Sequence, residues 1–510
     1  MPNAFAFIVV FSWPLAVYLL FRYLPRVEAL AWSILAGYLL LPTRAGVDLP
    51  LMPVIDKDVI PALTAAILLA FGMGAAKVGD LRHAEVHGGA VSGESWRMGP
   101  FLPLVLLLVA SPIMTVLTNP ETLVYGPMVL PGLRPYDAIS IISRLVLIAL
   151  PFFLAMRYLS SPDSHVVLLK VIVTGLLIYS LPILFEIRMS PQLNVMFFGF
   201  FPHLFEQHMR AGGFRPVVFL QHGLWLAILV AMAVVAAGAL WRHRLFEGAR
   251  AGQWLFAGLY LLIVLFLSNS LGAFAIALLF APVVLLLGPR SQMLFAGAIS
   301  VIVLLYPMLR SADLIPVDRV VAMAERISAD RAFSLQYRLD NEDALGARAA
   351  EKPFAGWGTW GRNQIFDPET GRMLSVTDGV WILVIGSYGW LGYVAQFGLL
   401  TLPTLMLAFG RRSAALTPAT AGLSLVMAAN LLDLLPNATL TPITWMVGGA
   451  LAGFCLNRER PVQDNFKRSW AVLTDRQGSA TRRADAARAE VRADWQSPMR
   501  PMRRMGQDDK

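Results

Sequence analysis

Residues 217–240 read VVFLQHGLWLAILVAMAVVAAGAL, a run of 24 residues without Asp, Glu, Lys or Arg. A helix of about 20 apolar residues spans the roughly 30 Å hydrocarbon core of a membrane. The whole chain is 57% hydrophobic and only 15% charged, whereas soluble domains are about 25% charged. The run therefore predicts a transmembrane helix in an integral membrane protein.

Similar apolar runs recur along the 510 residues, and the sequence predicts an all-α integral membrane protein with about 12–13 transmembrane helices. The predicted segments are 4–21, 28–42, 59–76, 100–117, 138–156, 166–185, 217–240, 253–267, 271–288, 292–309, 386–409, 416–434 and 439–456. The second segment is short, and only residues 268–270 separate the eighth from the ninth. The count is twelve or thirteen spans, depending on whether the second, eighth and ninth segments each cross the membrane separately.

Basic residues in the short connections indicate the orientation, because cytoplasmic loops carry an excess of Lys and Arg. Odd-numbered connections carry twelve such residues and even-numbered short connections carry six. Residues 457–510 add 13 Lys and Arg, a composition typical of a disordered tail near anionic lipid rather than of a nucleic-acid module. The C-terminus is therefore predicted to be cytoplasmic and, with thirteen spans, the N-terminus to be outside.

The predicted topology leaves two outward loops for chemistry. Residues 1–309 contain the first ten segments and a smaller outer loop at 186–216, residues 310–379 form the large outer loop, and residues 380–456 contain the last three segments. The single cysteine, Cys455, excludes a disulfide within one chain.

Residues 328–351 of the large loop are predicted to form a helix, with Ser328 or Asp330 at its start and Pro353 beyond its end. Arg331 and Arg338 are two turns apart and project from one side. Asn341 shares that side. These arginines are either anion-binding groups or solvated helix charges with carboxylate partners.

Residues 353–362, PFAGWGTWGR, combine three glycines with Trp357 and Trp360. The pattern predicts a turn-rich aromatic surface, although tryptophans also serve as anchors at the membrane interface. Asp378 then precedes the next span. It is either a carboxylate at the mouth of a site or the cap of a helix that begins at Gly379.

The smaller loop contains Arg210 and Arg215 on either side of a glycine pair, and both are predicted to face the same compartment as Arg331 and Arg338. Arginines from two loops would clamp an anion. His203 and His208 are five residues apart, which fits no metal-binding helix motif, and no metal is predicted.

Arg144 interrupts the fifth predicted span. An ionisable residue at membrane depth is a functional candidate, because burying it without a partner is costly. The alternative is a structural ion pair with Glu186 or Asp433.

This arrangement resembles the O-antigen ligase and polymerase superfamily of bacterial envelope glycosyltransferases. The resemblance covers residues 165–456 and rests on the many spans, the Arg-bearing helix of a late outer loop, and the Pro353-x-x-Gly356-x-Gly358 stretch. Asp378 before the glycine-rich start of a span, and Gly213-Phe214-Arg215-Pro216 upstream, also fit. The resemblance implies a bacterial inner-membrane protein whose large, partly helical loop is periplasmic.

The resemblance further implies a metal-independent inverting transferase that uses undecaprenyl-diphosphate-linked oligosaccharide and no cofactor. Arg215, Arg331 and Arg338 would stabilise the diphosphate leaving group, and Asp378 would activate or orient the acceptor hydroxyl. Arg210, Trp357, Trp360, Asn341 and Arg144 would bind substrate. Membrane lipid and a chain-length regulator protein are the other expected partners.

Related ligases carry His-Asn where this chain has Asp378-Gly379, and an ordinary aspartate has a pKa of about 3.9 against about 6.5 for histidine. The departure favours a polymerase of polysaccharide repeat units over a ligase that transfers glycan to another acceptor. Two other classes stay open. One is a lipid-linked oligosaccharide flippase, and the other is a transferase using a polyprenyl monophosphate sugar with Asp48, Asp56 and Asp58.

Overall fold

A computed structural model describes residues 1–48, 53–73, 98–210, 213–312, 314–326, 329–410 and 416–458. Of these residues, 71% are helical and very few are in strands. The predicted tail beyond Arg458 lies outside this part of the chain. So do five of the basic residues that were counted for the orientation, namely Lys77, Arg82, Arg97, Arg411 and Arg412.

The helices are numbered in chain order. They are α1 (Ala4–Tyr23), α2 (Arg26–Leu40), α3 (Ile60–Ala70), α4 (Leu102–Leu117), α5 (Pro135–Tyr158), α6 (Pro162–Met189), α7 (Leu193–Phe198), α8 (Gly223–Phe246), α9 (Gly252–Leu267), α10 (Leu271–Leu286), α11 (Pro289–Ser311), α12 (Val317–Glu325), α13 (Ala329–Ala350), α14 (Val380–Phe409), α15 (Pro418–Asp433) and α16 (Pro442–Arg458). Two short antiparallel hairpins pair β1 (Leu123–Tyr125) with β2 (Met128–Leu130), and β3 (Met209–Arg210) with β4 (Gly213–Phe214).

Each of the thirteen predicted segments overlaps one helix, namely α1 to α6, α8 to α11 and α14 to α16, although α3 ends at Ala70, six residues before the predicted end of its segment. In the described ranges, seven of these helices are long and apolar enough to cross a membrane, and four further apolar helices are shorter. The chain is therefore an all-α, multi-pass membrane protein. The predicted loop helix 328–351 is α13, which spans Ala329–Ala350.

Helix α8, which contains most of the run 217–240, lies at the centre of the bundle. Its most apolar 18-residue window is 89% buried within the protein, and it packs against α6, α9, α10 and α15. A Cβ atom at Gly422 of α15 would lie 2.1 Å from the Cβ of Ala239, and one at Gly238 would lie 2.7 Å from Val284. Small residues thus bring the helix backbones into close contact, as is usual inside membranes.

The even-numbered connections meet at one end of the bundle, here called the loop face. Hydrogen bonds join residues of different connections: Arg44 with Pro202, Lys57 with Phe219, Arg215 with Asn269, Arg338 with Asn437, and Arg362 with Pro131. At the opposite end, Asn457 donates to the Ser160 hydroxyl of the connection after α5. The grouping of the even-numbered connections is the one expected of helices that alternate in direction.

Helix α14 is broken at Gly389, which has φ 64° and ψ −165°. The break frees the carbonyl groups of Gly386 and Ser387, which accept hydrogen bonds from the N–H groups of Trp357 (2.8 Å) and Gly358 (2.9 Å). In the other direction, the Trp390 and Leu391 N–H groups donate to the Pro353 and Phe354 carbonyls. Residues 353–358 and 386–391 therefore form one unit, here called the interlock. Its pairing satisfies backbone groups that an unbroken helix would satisfy internally.

The glycines of the interlock are required by contact between two backbones. At Gly389 a Cβ atom would lie 2.3 Å from the Phe354 carbonyl, and at Gly356 (φ 68°) it would lie 2.5 Å from the Tyr388 nitrogen. Positive φ values are also ones that only glycine adopts at no steric cost.

Buried polar side chains fix the interlock to α4 and to the connection that follows it. Thr115 donates to the Ala355 carbonyl (2.5 Å) and Asn119 to the Gly356 carbonyl (2.9 Å). Arg362 is only 1% exposed. Its guanidinium donates to the carbonyl groups of Trp357, Pro131 and Glu121.

Candidate functional site

Arg338 of α13 and Asp378, two residues before α14, form an ion pair on the loop face. The distance from Arg338 Nε to Asp378 Oδ2 is 3.5 Å, and about a third of each side chain is exposed. Burial raises the pKa of the Asp378 carboxyl, and the Arg338 charge opposes that rise. Asp378 is no helix cap, because Gly379 occupies the N-cap position of α14. The pair is accessible, charged and held by two separate elements.

Asn341 ties these two elements together. Its Nδ2 donates to the Tyr337 carbonyl (2.7 Å), and its Oδ1 accepts from the Val376 N–H (2.8 Å). Its side chain is buried. Asn341 therefore aligns the Asp378 segment with α13, and its contact with substrate stays a prediction.

Arg215 of the smaller loop and Arg338 of the large loop both exert their charge on the same side chain, His222, which is the N-cap residue of α8. Burial lowers the pKa of His222 first of all, and the charges of Arg215 and Arg338 lower it further. The imidazole is therefore neutral, and the two guanidinium groups add positive potential to one region of the loop face.

Three histidines, His203, His208 and His222, meet beside this region. The ring centroid of His222 is 4.9 Å from that of His203 and 4.6 Å from that of His208. Their sequence spacing gave no signal of this cluster, because His222 comes from beyond the loop.

The ring nitrogens of this cluster are largely engaged in hydrogen bonds. His208 donates from Nδ1 to the Leu204 carbonyl (3.0 Å) and accepts at Nε2 from the Gly223 N–H, while Nδ1 of His222 accepts from the Leu224 N–H. Within the described ranges, no three His, Cys, Asp or Glu side chains form a metal-binding group.

A cavity of about 560 Å³ opens beside Arg144. Arg144 Nη1 lies 3.0 Å from Asp56 Oδ2 and donates to the Val54 carbonyl. The sequence-based alternative of a pair with Glu186 or Asp433 is thus wrong. Glu186 accepts three backbone N–H groups and Asp433 accepts from Asn437 and Thr439. The partner of Arg144 comes from a connection that folds over α5, which sequence spacing does not reveal.

Trp357 and Trp360 have opposite environments. Trp357 is buried, donates from its indole to the Arg348 carbonyl, and has the Arg348 guanidinium 3.3 Å from its ring centroid. Its ring is therefore covered by the Arg348 side chain, and its contact with substrate stays a prediction. Trp360 is 57% exposed and lines the cavity, so its ring is free to contact a ligand.

The backbone of Arg331 belongs to α13, and that of Arg210 pairs with Gly213 in the β3–β4 hairpin. The side chains of these two predicted site residues lie outside the described part of the structure. Strand β4 leads directly into Arg215.

Glu342 is a buried carboxyl that the sequence did not single out. It follows Arg338 by one helical turn and accepts a hydrogen bond from the Tyr306 hydroxyl at Oε2 (3.3 Å). Burial raises its pKa to about 7. The only signal for Glu342 in the sequence is its position four residues after Arg338 on the same predicted helix. That spacing does not show whether the side chain is buried or exposed.

No protein-family model and no curated protein sequence matches this chain. The chemistry that the loop face can perform is therefore inferred from its geometry. This face carries two guanidinium groups from different loops, a carboxylate with a raised pKa and, beside Arg144, a cavity. Such a set binds an anion and accepts a proton from a neighbouring hydroxyl.

Proposed function

We propose that this protein is a glycosyltransferase that polymerises lipid-linked repeat units on the periplasmic face of the bacterial inner membrane. It would transfer glycan from undecaprenyl diphosphate to an acceptor sugar hydroxyl. The observation that carries the proposal is the ion pair of Arg338 with Asp378 in the large loop, on a face that also carries Arg215 of the smaller loop. Many apolar helices beneath these residues suit a donor with a polyprenyl tail.

In the proposed reaction, the acceptor oxygen attacks the anomeric carbon and the bond from that carbon to the diphosphate oxygen breaks. The diphosphate leaves with the electron pair, and Arg215, Arg331 and Arg338 stabilise its charge. Asp378 accepts the proton of the acceptor hydroxyl. Its raised pKa makes it a better base than an ordinary aspartate.

The expected contribution of the arginines is large. A hydrogen bond to a charged group contributes about 1.5–3 kcal/mol net, and about 1.4 kcal/mol corresponds to a tenfold change in rate. Losing the fork of Arg338 should therefore lower the rate by about 10²- to 10⁴-fold, because two such bonds are lost. Lysine at this position keeps the charge without the fork, so Arg338→Lys should retain part of the activity.

The test is reconstitution of the full-length protein in liposomes with undecaprenyl-diphosphate oligosaccharide, with products separated as a ladder on a gel. Wild type should give a ladder, and Arg338→Ala and Asp378→Ala should lose it at equal protein level. Arg372→Ala, an exposed arginine of the same loop, is the matched control and should retain it.

Three results would contradict the proposal in different ways. A ladder of normal length from Arg338→Ala would show that Arg338 does not clamp the diphosphate. Translocation of the donor without a ladder would make the protein a transporter. A single transfer to a non-glycan acceptor would make it a ligase.

A further inference from the structure

The cavity beside Arg144 has features that the proposed chemistry of Arg338 and Asp378 does not use. It is lined by Thr43, Arg44, Ala45, Gly46, Pro53, Val54, Asp56, Ser140, Ile141, Arg144, Thr359, Trp360 and Tyr388. Its volume of about 560 Å³ falls in the range of roughly 300–1,000 Å³ that is usual for small-ligand pockets. The cavity lies between the connection after α2, helix α5 and the large loop.

Two hydroxyl groups in the cavity wall lack partners. The Oγ1 atoms of Thr43 and Thr359 are buried, and neither forms a hydrogen bond within the described part of the chain. Buried polar atoms are almost always paired in folded proteins. Both threonines line the cavity, so hydroxyl groups of a ligand bound there would supply the missing partners.

Trp360 is held at this cavity in an unfavourable backbone conformation. Its φ is 57°, in the left-handed region that bulky residues rarely adopt, and Gly358 and Gly361 beside it also have positive φ. The strain is retained although the side chain is 57% exposed. Strain of this kind concentrates at functional sites, and here it presents an indole face, which packs well against the C–H face of a sugar ring.

The charged groups of the cavity favour an anion. Arg44 and Arg144 contribute two positive charges, and Asp56 contributes one negative charge. Asp56 is paired with Arg144, whereas Arg44 has no carboxylate within ion-pair distance among the residues described and donates to the Pro202 carbonyl. One positive charge is therefore left over at the cavity.

We propose that this cavity is a glycan-binding subsite that holds one acidic sugar unit, with its ring against Trp360 and its carboxylate near Arg44. Thr43, Thr359 and Asp56 would bind its hydroxyl groups. The identification of that glycan with the substrate of the enzyme rests on the proposed function. Binding itself requires no reaction.

The test is saturation-transfer NMR on the full-length protein in nanodiscs, with trigalacturonate and maltotriose as acidic and neutral probes. Wild type should transfer saturation to both and bind trigalacturonate more tightly. Trp360→Ala should weaken binding of both probes by about tenfold, because it removes the stacking surface. Trp360→Phe should restore part of it.

Two further variants separate charge from stacking. Arg44→Ala should abolish the preference for trigalacturonate and leave maltotriose binding unchanged. Phe354→Ala removes another exposed aromatic residue of the same loop that does not line the cavity, and should bind both probes as wild type does.

No saturation of either probe by wild type, or equal binding by Trp360→Ala, would overturn the subsite. Equal affinity for the two probes would overturn the preference for an acidic sugar. The two proposals fail separately. If the probes bind but no glycan is transferred from the lipid-linked donor, the proposed function is wrong and the subsite stands. If the ladder is normal but no probe binds, the subsite is wrong and the proposed function stands.

Discussion

The interlock and the charged region around Arg338 lie on the same face and are built in opposite ways. In the interlock, residues 353–358 and 386–391 pair through backbone hydrogen bonds of 2.8–3.2 Å, and its glycines leave no room for a side chain. Around Arg338, the contacts to Asp378 and Asn437 are both 3.5 Å, and the side chains are partly exposed. The first region is saturated with partners, whereas the second keeps bonding capacity for a ligand. A rigid support beneath an incompletely paired site is what positioning of a substrate requires.

The largest expected effect is at Gly389. Gly389→Ala would place a Cβ atom 2.3 Å from the Phe354 backbone at a φ of 64°, so we expect a loss of more than about 4 kcal/mol of stability. Size-exclusion chromatography and thermal unfolding in detergent would measure it. Gly346→Ala is the matched control, because a Cβ there meets nothing within 4 Å and improves helix propensity. A normally folded Gly389→Ala protein would show that the interlock yields easily.

A second prediction compares the two tryptophans at the edge of the interlock. Trp357→Ala should lower the free energy of unfolding by about 3 kcal/mol, because it removes a buried ring and the surface on which Arg348 stacks. Trp360→Ala should change it by less than about 1 kcal/mol, because that ring is largely exposed. Thermal unfolding of the two variants side by side would show the difference. Equal losses would mean that the exposed ring also supports the fold.

The smallest effect concerns the charged region and depends on pH. The Glu342 carboxyl has a pKa of about 7, raised from 4.5 by burial, so the folded protein holds a proton that the unfolded chain releases. Wild type should therefore lose stability as pH rises from about 4.5 to about 7, by about 2 kcal/mol. Glu342→Gln carries no charge at any pH and should be the more stable protein at pH 8, with little difference at pH 4.5.

Unfolding at these two pH values would measure the effect of Glu342. Glu369→Gln, an exposed carboxyl of the same loop, is the control and should show no such dependence. If the difference in stability between wild type and Glu342→Gln were the same at both pH values, the result would show that Glu342 is in contact with water.

The transmembrane architecture could be predicted from the sequence because each span carries its own signal. A run such as 217–240 must be apolar over its whole length wherever its neighbours lie, and all thirteen runs overlap helices. The loop helix α13 was equally readable, since Pro353 and the residues near Ser328 mark its ends locally. The structure shows that two elements bring Arg338 and Asp378 close together. Their role in the reaction stays a prediction, which the reconstitution assay tests.

The features that sequence could not reveal depend on partners that are distant in the chain. The break at Gly389 is stable only because residues 353–358 supply hydrogen bonds, and Trp357 is buried because Arg348 covers it. Arg144 pairs with Asp56, 88 residues earlier in the chain. In each case the local pattern fits several environments, and tertiary contact selects one.

The break in α14 has a consequence for the synthesis of the protein. The broken backbone cannot enter lipid with its carbonyl and N–H groups unpaired, since each such group costs several kcal/mol there. Its partners lie about 30 residues earlier in the chain, so they leave the ribosome before the span that needs them. The large loop must therefore be folded against α4 by the time α14 is released into the bilayer, which makes the loop an internal folding template for α14.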